Sequence, residues 1–230
     1  MRKYFRLKSW LLALLLSLLG MYTYGQNRPV RILYHQAPAG APSKAYIYSD
    51  LELLGETELP RANFSETFEI PRGEVLLKFI PNALTQQEKM PKRAPSANIP
   101  KTWQKILLLV FEDESNPMMP IRIQAVDASD NIFGPGCLYM MNFSKIGIAG
   151  KLGDKNLQLK PQSIKIIKNP IPQDGFYLAK LDAYIGAGHK PRRFIKQMWQ
   201  HSHNTRQVLF IMPKPSPRYA TYYCAPVENF

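Results

Sequence analysis

The stretch from Gly136 to Lys168 most constrains the fold of this chain, because it holds four short runs of strand-forming residues separated by tight turn signals. Cys137–Phe143 is apolar on both faces, a pattern typical of a strand that is covered on both sides. Three further strands are predicted in this stretch: Gly147–Lys151, Leu157–Leu159 and Ile164–Lys168. This punctuation by glycine, asparagine and proline predicts an all-β protein.

The rest of the chain has the same character. Ile106–Phe111 is continuously apolar and predicts a second central strand with both faces buried. Phe64–Ile70 and Tyr177–Ile185 alternate between apolar and polar residues, so each should keep one face in water. Asn82–Lys101 is rich in proline and polar residues and predicts a long loop. No segment outside the N-terminus sustains a helical repeat, and about thirteen strands are expected.

A weak internal similarity suggests two halves. Phe68–Ile80 resembles Leu157–Asn169, since in both a strand meets a proline turn and an apolar return strand. The predicted fold is therefore two immunoglobulin-like antiparallel β-sandwich halves, residues 26–130 and 131–230, which follow a cleaved signal peptide.

The N-terminus carries an export signal. Four basic residues precede the apolar run Trp10–Leu19, which is too short for a helix that spans about 30 Å of hydrocarbon. Small residues at Thr23 and Gly25 predict a secretory signal peptide, residues 1–25, with the mature chain beginning at Gln26. An uncleaved anchor is the alternative. Four of the 30 Lys and Arg residues lie in the leader, so 26 remain against 17 Asp and Glu, a net charge of +9.

Export permits a disulfide between the two cysteines, Cys137 and Cys224. It would join the C-terminal tail to the central strand and stabilise the fold by roughly 4 kcal/mol in the chain-entropy model. The sequence leaves the alternative open that both are small buried apolar side chains.

The lengths of the predicted strands limit which histidines and which carboxylates could share a metal site or a catalytic site. His201 and His203 offer two imidazoles, but His189 lies at the other end of the predicted strand Arg192–Gln200, roughly 30 Å away. Acidic turns near Glu112 and Asp127 should likewise lie at opposite ends of one hairpin. Nucleophile, phosphate-loop and dinucleotide motifs are not found. We therefore expect no catalytic site, no metal site and no cofactor.

Aromatic residues offer a different kind of site. Trp103, Trp199 and Tyr222 are candidate glycan contacts, although most aromatic residues of β proteins lie in the core. The positive charge favours anionic surfaces such as phosphorylated envelope glycans, with an ordinary solvated surface as the alternative. Basic loops without interleaved aromatics argue against nucleic acid as a partner.

Several segments together resemble a family of exported bacterial β-sandwich proteins. They are the strand Val30–His35, the central run Gly136–Pro161 and the closing segment Trp199–Met212. The resemblance covers most of the mature chain, but its motifs are strand and turn positions, so it implies fold and export only. Pro161 is followed by Gln162, where such turns usually carry Pro-Gly. The turn at Asn142 and the strands after it are also similar to the second domain of periplasmic pilus chaperones, although the first half lacks their pattern.

These observations predict a periplasmic or secreted, non-enzymatic protein of the bacterial envelope that acts in binding or assembly. Its expected partner is an envelope protein or an anionic glycan, and no stable membrane span remains after the signal is cleaved. Two more specific alternatives are a chaperone-like role toward surface-fibre subunits and a glycan-binding module. A secreted hydrolase is the remaining alternative, and it would require convergent carboxylates or a Ser–His pair.

Overall fold

The computed structural model describes residues 27–50, 52–85, 87–185, 190–214, 220–227 and 230. The predicted signal peptide and the predicted first mature residue, Gln26, lie outside these residues, as does His189. Within the described part of the chain, no helix combines the length and the apolar character needed to cross a membrane.

The described residues contain sixteen strands and one short helix. The first half contains β1 (Arg28–Tyr34), β2 (Lys44–Ser49), β3 (Glu52–Glu58), β4 (Phe68–Ile70), β5 (Val75–Ile80), β6 (Ser96–Ile99), β7 (Ile106–Glu112) and β8 (Ile121–Asp127). The helix α1 (Asp130–Phe133) follows. The second half contains β9 (Cys137–Asn142), β10 (Gly147–Leu152), β11 (Lys155–Leu159), β12 (Ser163–Lys168), β13 (Gly175–Tyr184), β14 (Arg192–His201), β15 (Arg206–Pro213) and β16 (Ala220–Val227).

The strands form four sheets of four, which confirms the all-β, two-sandwich prediction. The first half has an inner sheet, in the order β4-β1-β7-β8, and an outer sheet, in the order β3-β2-β5-β6. The second half has an inner sheet, β12-β9-β15-β16, and an outer sheet, β11-β10-β13-β14. Adding eight to every strand number of the first half gives the order in the second. The fold is therefore an internal duplication of an eight-stranded unit.

Two strand pairs depart from the predicted antiparallel arrangement. β1 pairs with β7 in parallel, and β9 pairs with β15 in parallel. Parallel neighbours need a crossover connection, which the intervening strands of the same half provide. The same departure in both halves follows from the duplication.

Three apolar layers hold the four sheets together. The first lies between the two sheets of the first half, and the second lies between the two sheets of the second half. The third lies between the two inner sheets and includes Leu109 from one half and Phe210 from the other. The sheets therefore stack as outer, inner, inner, outer, and each inner sheet is covered on both faces.

This layering explains the two continuously apolar strands. Every residue of Ile106–Phe111 is buried, because alternate side chains enter the first and the third layers. All residues of β9 are likewise buried. The prediction that Ile106–Phe111 and Leu138–Met141 are central strands is confirmed. The alternation predicted for Tyr177–Ile185 is also confirmed, since β13 buries every second residue against the second layer.

Two element boundaries and the alignment of the internal repeat differ from the prediction. Only Phe68–Ile70 of the expected strand Phe64–Ile70 pairs with a neighbour, β1. The expected loop Asn82–Lys101 contains β6, whose first three residues are weak β-formers and which is held by pairing to β5. The proposed match of Phe68–Ile80 to Leu157–Asn169 is out of register, because it sets β4–β5 against β11–β12 instead of β12–β13. A strand–proline–strand pattern recurs too often to fix such an alignment.

A charged cluster joins the two halves beside α1. The buried guanidinium of Arg206 donates to the carbonyls of Ala128 (2.6 Å) and Phe133 (2.8 Å) and to Asp130 (3.0 Å). Lys105 of the first half forms an ion pair with the same carboxylate at 2.9 Å. The Lys105 ammonium, followed by Arg206, lowers the pKa of Asp130. The division of the mature chain into domains at residues 26–130 and 131–230 remains a prediction, and the third layer argues that the halves are coupled.

Candidate functional site

A cleft of about 440 Å³ opens at one end of the first sandwich. It is bounded by the start of β1, the loop between β4 and β5 and the loop between β6 and β7. Its lining residues are Asn27, Arg28, Pro29, Arg72, Lys101, Thr102, Trp103, Gln104 and Lys105. Loops at the end of a rigid sandwich are where binding residues concentrate, because the sheets fix the loop ends.

Arg28 determines the shape of this cleft. Its side chain is buried, and its five N–H groups all donate to backbone carbonyls at 2.7–3.2 Å. The acceptors are the carbonyls of Pro71, Gly73, Pro100 and Trp103. Since these carbonyls belong to both loops, one guanidinium holds the two cleft walls against the start of β1. Arg28 has no donor left for a ligand and acts there as a fixed positive charge.

The electrostatics of the cleft are one-sided. Four of its lining residues are basic, and no carboxylate is among them. Burial, together with the like charge of Arg72, lowers the pKa of Arg28. Lys105 is neutralised by Asp130 outside the cleft, whereas Lys101 is exposed and has no polar partner among the described residues. An anion in this cleft would relieve the repulsion between the cations.

Trp103 supplies the apolar wall. The indole is half-buried and packs against the first apolar layer, and the backbone carbonyl of this residue accepts from Arg28 at 3.2 Å. A tryptophan fixed in this way offers a flat surface beside positive charges. The arrangement suits a ligand that combines a ring face with an anionic group.

A second loop cluster occupies the equivalent end of the second sandwich. A small cleft there is bounded by the start of β9, the loop after β12 and the loop between β14 and β15. These are the counterparts of the elements that bound the first cleft. Three potential metal ligands lie beside it, namely Asp174, His201 and His203, with one ligand atom of each within 4.8 Å of the others.

The three side chains have different environments. Asp174 Oδ1 accepts from the backbone N–H of His203 at 2.6 Å and contacts His203 Nδ1 at 2.6 Å. The hydrogen bond from that backbone N–H, followed by the one from the imidazole, lowers the pKa of Asp174. His201 is only 5% exposed, and burial lowers its pKa. The two imidazole centroids are 4.7 Å apart.

The structure separates the three aromatic residues predicted as glycan contacts. Trp103 packs on the first layer, whereas Trp199 and Tyr222 pack on the second, with ring centroids 5.9 Å apart. Trp199 also contacts Tyr177 edge-on. The three therefore do not share one platform: Trp103 lines a cleft, and the other two belong to a packed aromatic cluster.

The disulfide that export would permit is not formed, and both cysteines are free. Cys137 points into the layer between the inner sheets, while Cys224 packs on the second layer, on the opposite face of the same sheet. β15 lies between their strands, so their backbones are roughly 9.6 Å apart across the sheet, beyond the limit of about 7 Å for a disulfide. Burial raises the pKa of both thiols, that of Cys224 to about 11. Cys137 is buried and Cys224 is half-buried, and both pack as small apolar side chains.

The acidic turns near Glu112 and Asp127 lie at opposite ends of one hairpin, as predicted. Asp127 pairs with Ile106 and Glu112 with Ile121, at opposite ends of the β7–β8 hairpin. Asp127 Oδ1 accepts from the backbone and the hydroxyl of Ser129, which is a turn-forming role.

Asp174 is the residue that the sequence interpretation missed. It directly precedes β13, whose first residue, Gly175, pairs with His201. The register of this hairpin therefore places a carboxylate beside the two imidazoles. Pairing the two predicted strands Phe176–Ile185 and Arg192–Gln200 would have revealed it, because residues just before one strand and just after the other must be neighbours.

Comparison with known proteins adds no assignment. No protein-family model matches the chain. No curated protein matches it either. The resemblance to exported bacterial β-sandwich proteins therefore remains a prediction from the sequence.

Proposed function

We propose that this chain is an exported, non-enzymatic binding protein of the bacterial envelope, and that the cleft around Trp103 binds an anionic glycan. The observation that carries the proposal is a cleft with four basic lining residues, no carboxylate and one half-buried indole. Its volume of about 440 Å³ falls within the roughly 300–1,000 Å³ typical of small-ligand sites.

Each cleft residue has a role in this proposal. Arg72 and Lys101 donate to phosphate or carboxylate groups of the glycan, and Arg28 contributes charge while it holds the loops. Trp103 stacks on the apolar face of a sugar ring. The charged donors favour an anionic glycan over a neutral one, and the stacking surface favours it over a free anion, which has no sugar ring.

Export is part of the proposal and is supported by the sequence of the first 25 residues. N-terminal sequencing of the protein from an envelope fraction should begin at Gln26. A chain that still begins at Met1 would contradict cleavage.

The binding proposal is tested by tryptophan fluorescence in the Trp199→Phe background, where Trp103 is the remaining tryptophan of the mature chain. The probes are glucose 6-phosphate, glucose and inorganic phosphate. We expect the phosphorylated sugar to change the emission and to bind more tightly than either fragment. Lys101→Ala should weaken binding about tenfold, the scale of one charge-assisted hydrogen bond. High salt should weaken it further.

Lys92→Ala is the matched control, because Lys92 is exposed and does not line the cleft. It should leave the affinity unchanged. Equal binding of glucose and glucose 6-phosphate, or equal affinities of the Lys101→Ala variant and the parent, would refute the proposal.

A second candidate function, assembly with an envelope protein, is favoured by an apolar patch on the second outer sheet. Phe176 and Met198 are 69% and 59% exposed, and Leu178, which pairs with Met198, is 41% exposed. Patches of this kind on soluble proteins mark interaction surfaces. If this surface carries the function, Phe176→Glu should abolish co-purification with an envelope protein and leave sugar binding unchanged.

A further inference from the structure

The hairpin register of the second outer sheet builds a cluster of three metal-ligand types. Gly175 pairs with His201, so Asp174 before β13 and His203 after β14 project from the same sheet end. One ligand atom from each of Asp174, His201 and His203 lies within 4.8 Å of the other two. In a tetrahedral zinc site, with bonds of about 2.0–2.1 Å, ligand atoms are roughly 3.3 Å apart. Side-chain adjustments of about 1.5 Å or less would therefore bring the three onto one ion.

A second observation points to a ligand here. His201 is about 95% buried, and its Nε2 has no hydrogen-bond partner in the described part of the structure. A buried imidazole nitrogen without a partner costs free energy that a bound cation would recover. Gly136 lies beside this ring and leaves room for the side chain of Asn169. A Cβ there would lie 2.2 Å from Asn169 Oδ1 and 3.5 Å from His201 Cε1.

We propose that Asp174, His201 and His203 bind one divalent transition-metal ion, with Zn²⁺ as the occupant. Two imidazoles and one carboxylate are a donor set that suits zinc and other divalent first-row transition metals, whereas calcium and magnesium prefer oxygen ligands alone. His203 and Asp174 lie at the surface, so the fourth coordination position faces solvent. Three protein ligands with an open position are typical of exchangeable or reactive sites rather than closed structural ones.

Neighbouring groups define the limits of the site. Cys137 lines the adjacent cleft with His201 but belongs to the layer between the inner sheets, and burial keeps its thiol protonated. It is not a fourth ligand. Lys155 is close enough to His201 to act on it electrostatically, and its ammonium donates to the Lys168 carbonyl. That fixed positive charge weakens cation binding, so the site should select for ions that bind imidazole strongly.

The experiment uses the mature chain without an affinity tag, since a histidine tag would compete for the ion. Zinc is titrated against a chromophoric chelator, and one ion per chain is expected. Asp174→Asn and His203→Gln should each lower the affinity by at least roughly tenfold, which is the lower range found even for outer-shell partners of a metal site. Asp154→Asn is the control for the loss of one exposed carboxylate, and it should bind as the parent does.

Nitrogen-15 spectra of the imidazole rings provide a readout that needs no variant. One equivalent of zinc should shift the ring nitrogens of two histidines, while those of His35, buried in the other half, stay unchanged. Urea midpoints of Asp174→Asn and His203→Gln establish that both variants are folded. An affinity unchanged by both substitutions, or spectra in which zinc moves no ring nitrogen, would overturn the proposal.

Discussion

Substituting Leu109 by alanine tests whether the two halves form one cooperative unit. Leu109 is fully buried and lies in the layer between the two inner sheets, in register with Leu33 on the neighbouring strand. Its neighbour Leu108 is equally buried but faces the layer inside the first sandwich. The two leucines therefore have the same burial and the same strand, and they differ in which layer they fill.

The expected cost of Leu109→Ala follows from its burial. Removing three carbons loses about 2.4 kcal/mol of transfer free energy at about 0.8 kcal/mol per carbon. A residual cavity of roughly 50 Å³ adds about 1.2 kcal/mol at about 24 cal/mol per Å³. The sum of about 3.6 kcal/mol lies inside the range of about 2–5 kcal/mol for buried leucines. Leu108→Ala should cost about as much.

Urea unfolding monitored by Trp103 and by Trp199 reports on the two halves separately, because these residues pack on the layers of different halves. In single-tryptophan variants, Leu109→Ala should move both transitions together. A Leu109→Ala midpoint equal to that of the parent would refute the buried interface. A shift confined to the Trp103 transition would refute coupling between the halves.

Three further predictions concern polar groups. Lys180→Ala should change the free energy of unfolding by less than about 0.5 kcal/mol by urea titration, because Lys180 is exposed and pairs with Lys151 and Lys196. Arg206→Met should cost about 3 kcal/mol in the same assay, since two buried carbonyls lose their donor; an unchanged midpoint would contradict this. Burial lowers the pKa of His35 from 6.5 to about 4, so stability should fall by about 3 kcal/mol as the pH drops from 7 to 4, and His35→Phe should remove that part of the pH dependence in urea titrations.

The direction of the pH dependence at His35 follows from which state of the chain, folded or unfolded, binds the proton more tightly. The imidazole is stacked on Phe210 with centroids 4.1 Å apart, inside the layer between the halves. Between about pH 6.5 and 4 the unfolded chain binds a proton that the folded chain does not, so acid favours unfolding in that window. A difference between His35→Phe and the parent that stays constant from pH 7 to 4 would contradict the assignment.

Local sequence patterns predicted the parts of the fold that depend on local burial. Ile106–Phe111 and Leu138–Met141 were identifiable as central strands, because only a strand covered on both faces loses its polar alternation. The wet and dry faces of β13 were equally readable. Side chains two residues apart on a strand lie on the same face, so burial of one face produces an alternation of apolar and polar residues in the sequence.

Pairing between strands that are distant in the sequence could not be predicted from such local patterns. The parallel partners β1 and β7 are separated by the whole outer sheet in sequence, and neither strand specifies the other. Asp174 became part of a cluster only through the register of β13 with β14, and β6 exists only because β5 offers it a partner. The sequence left the disulfide open for the same reason, since the position of β15 between the strands of Cys137 and Cys224 is a property of sheet order.

The internal duplication explains why the two halves have clefts at equivalent positions. Both lie where the first strand of an inner sheet begins, between the loop after its edge strand and the loop that leads into its parallel partner. The strand order that creates this place is identical in the two halves, whereas the loops carry different chemistry. In the first half, Arg28 fills the position between the loops and makes the cleft cationic. In the second half, Gly136 leaves the corresponding space to the side chain of Asn169, beside His201. Because the sheets determine the position and the loops determine the ligand, the two ends can bind chemically different ligands without a change in the shared framework.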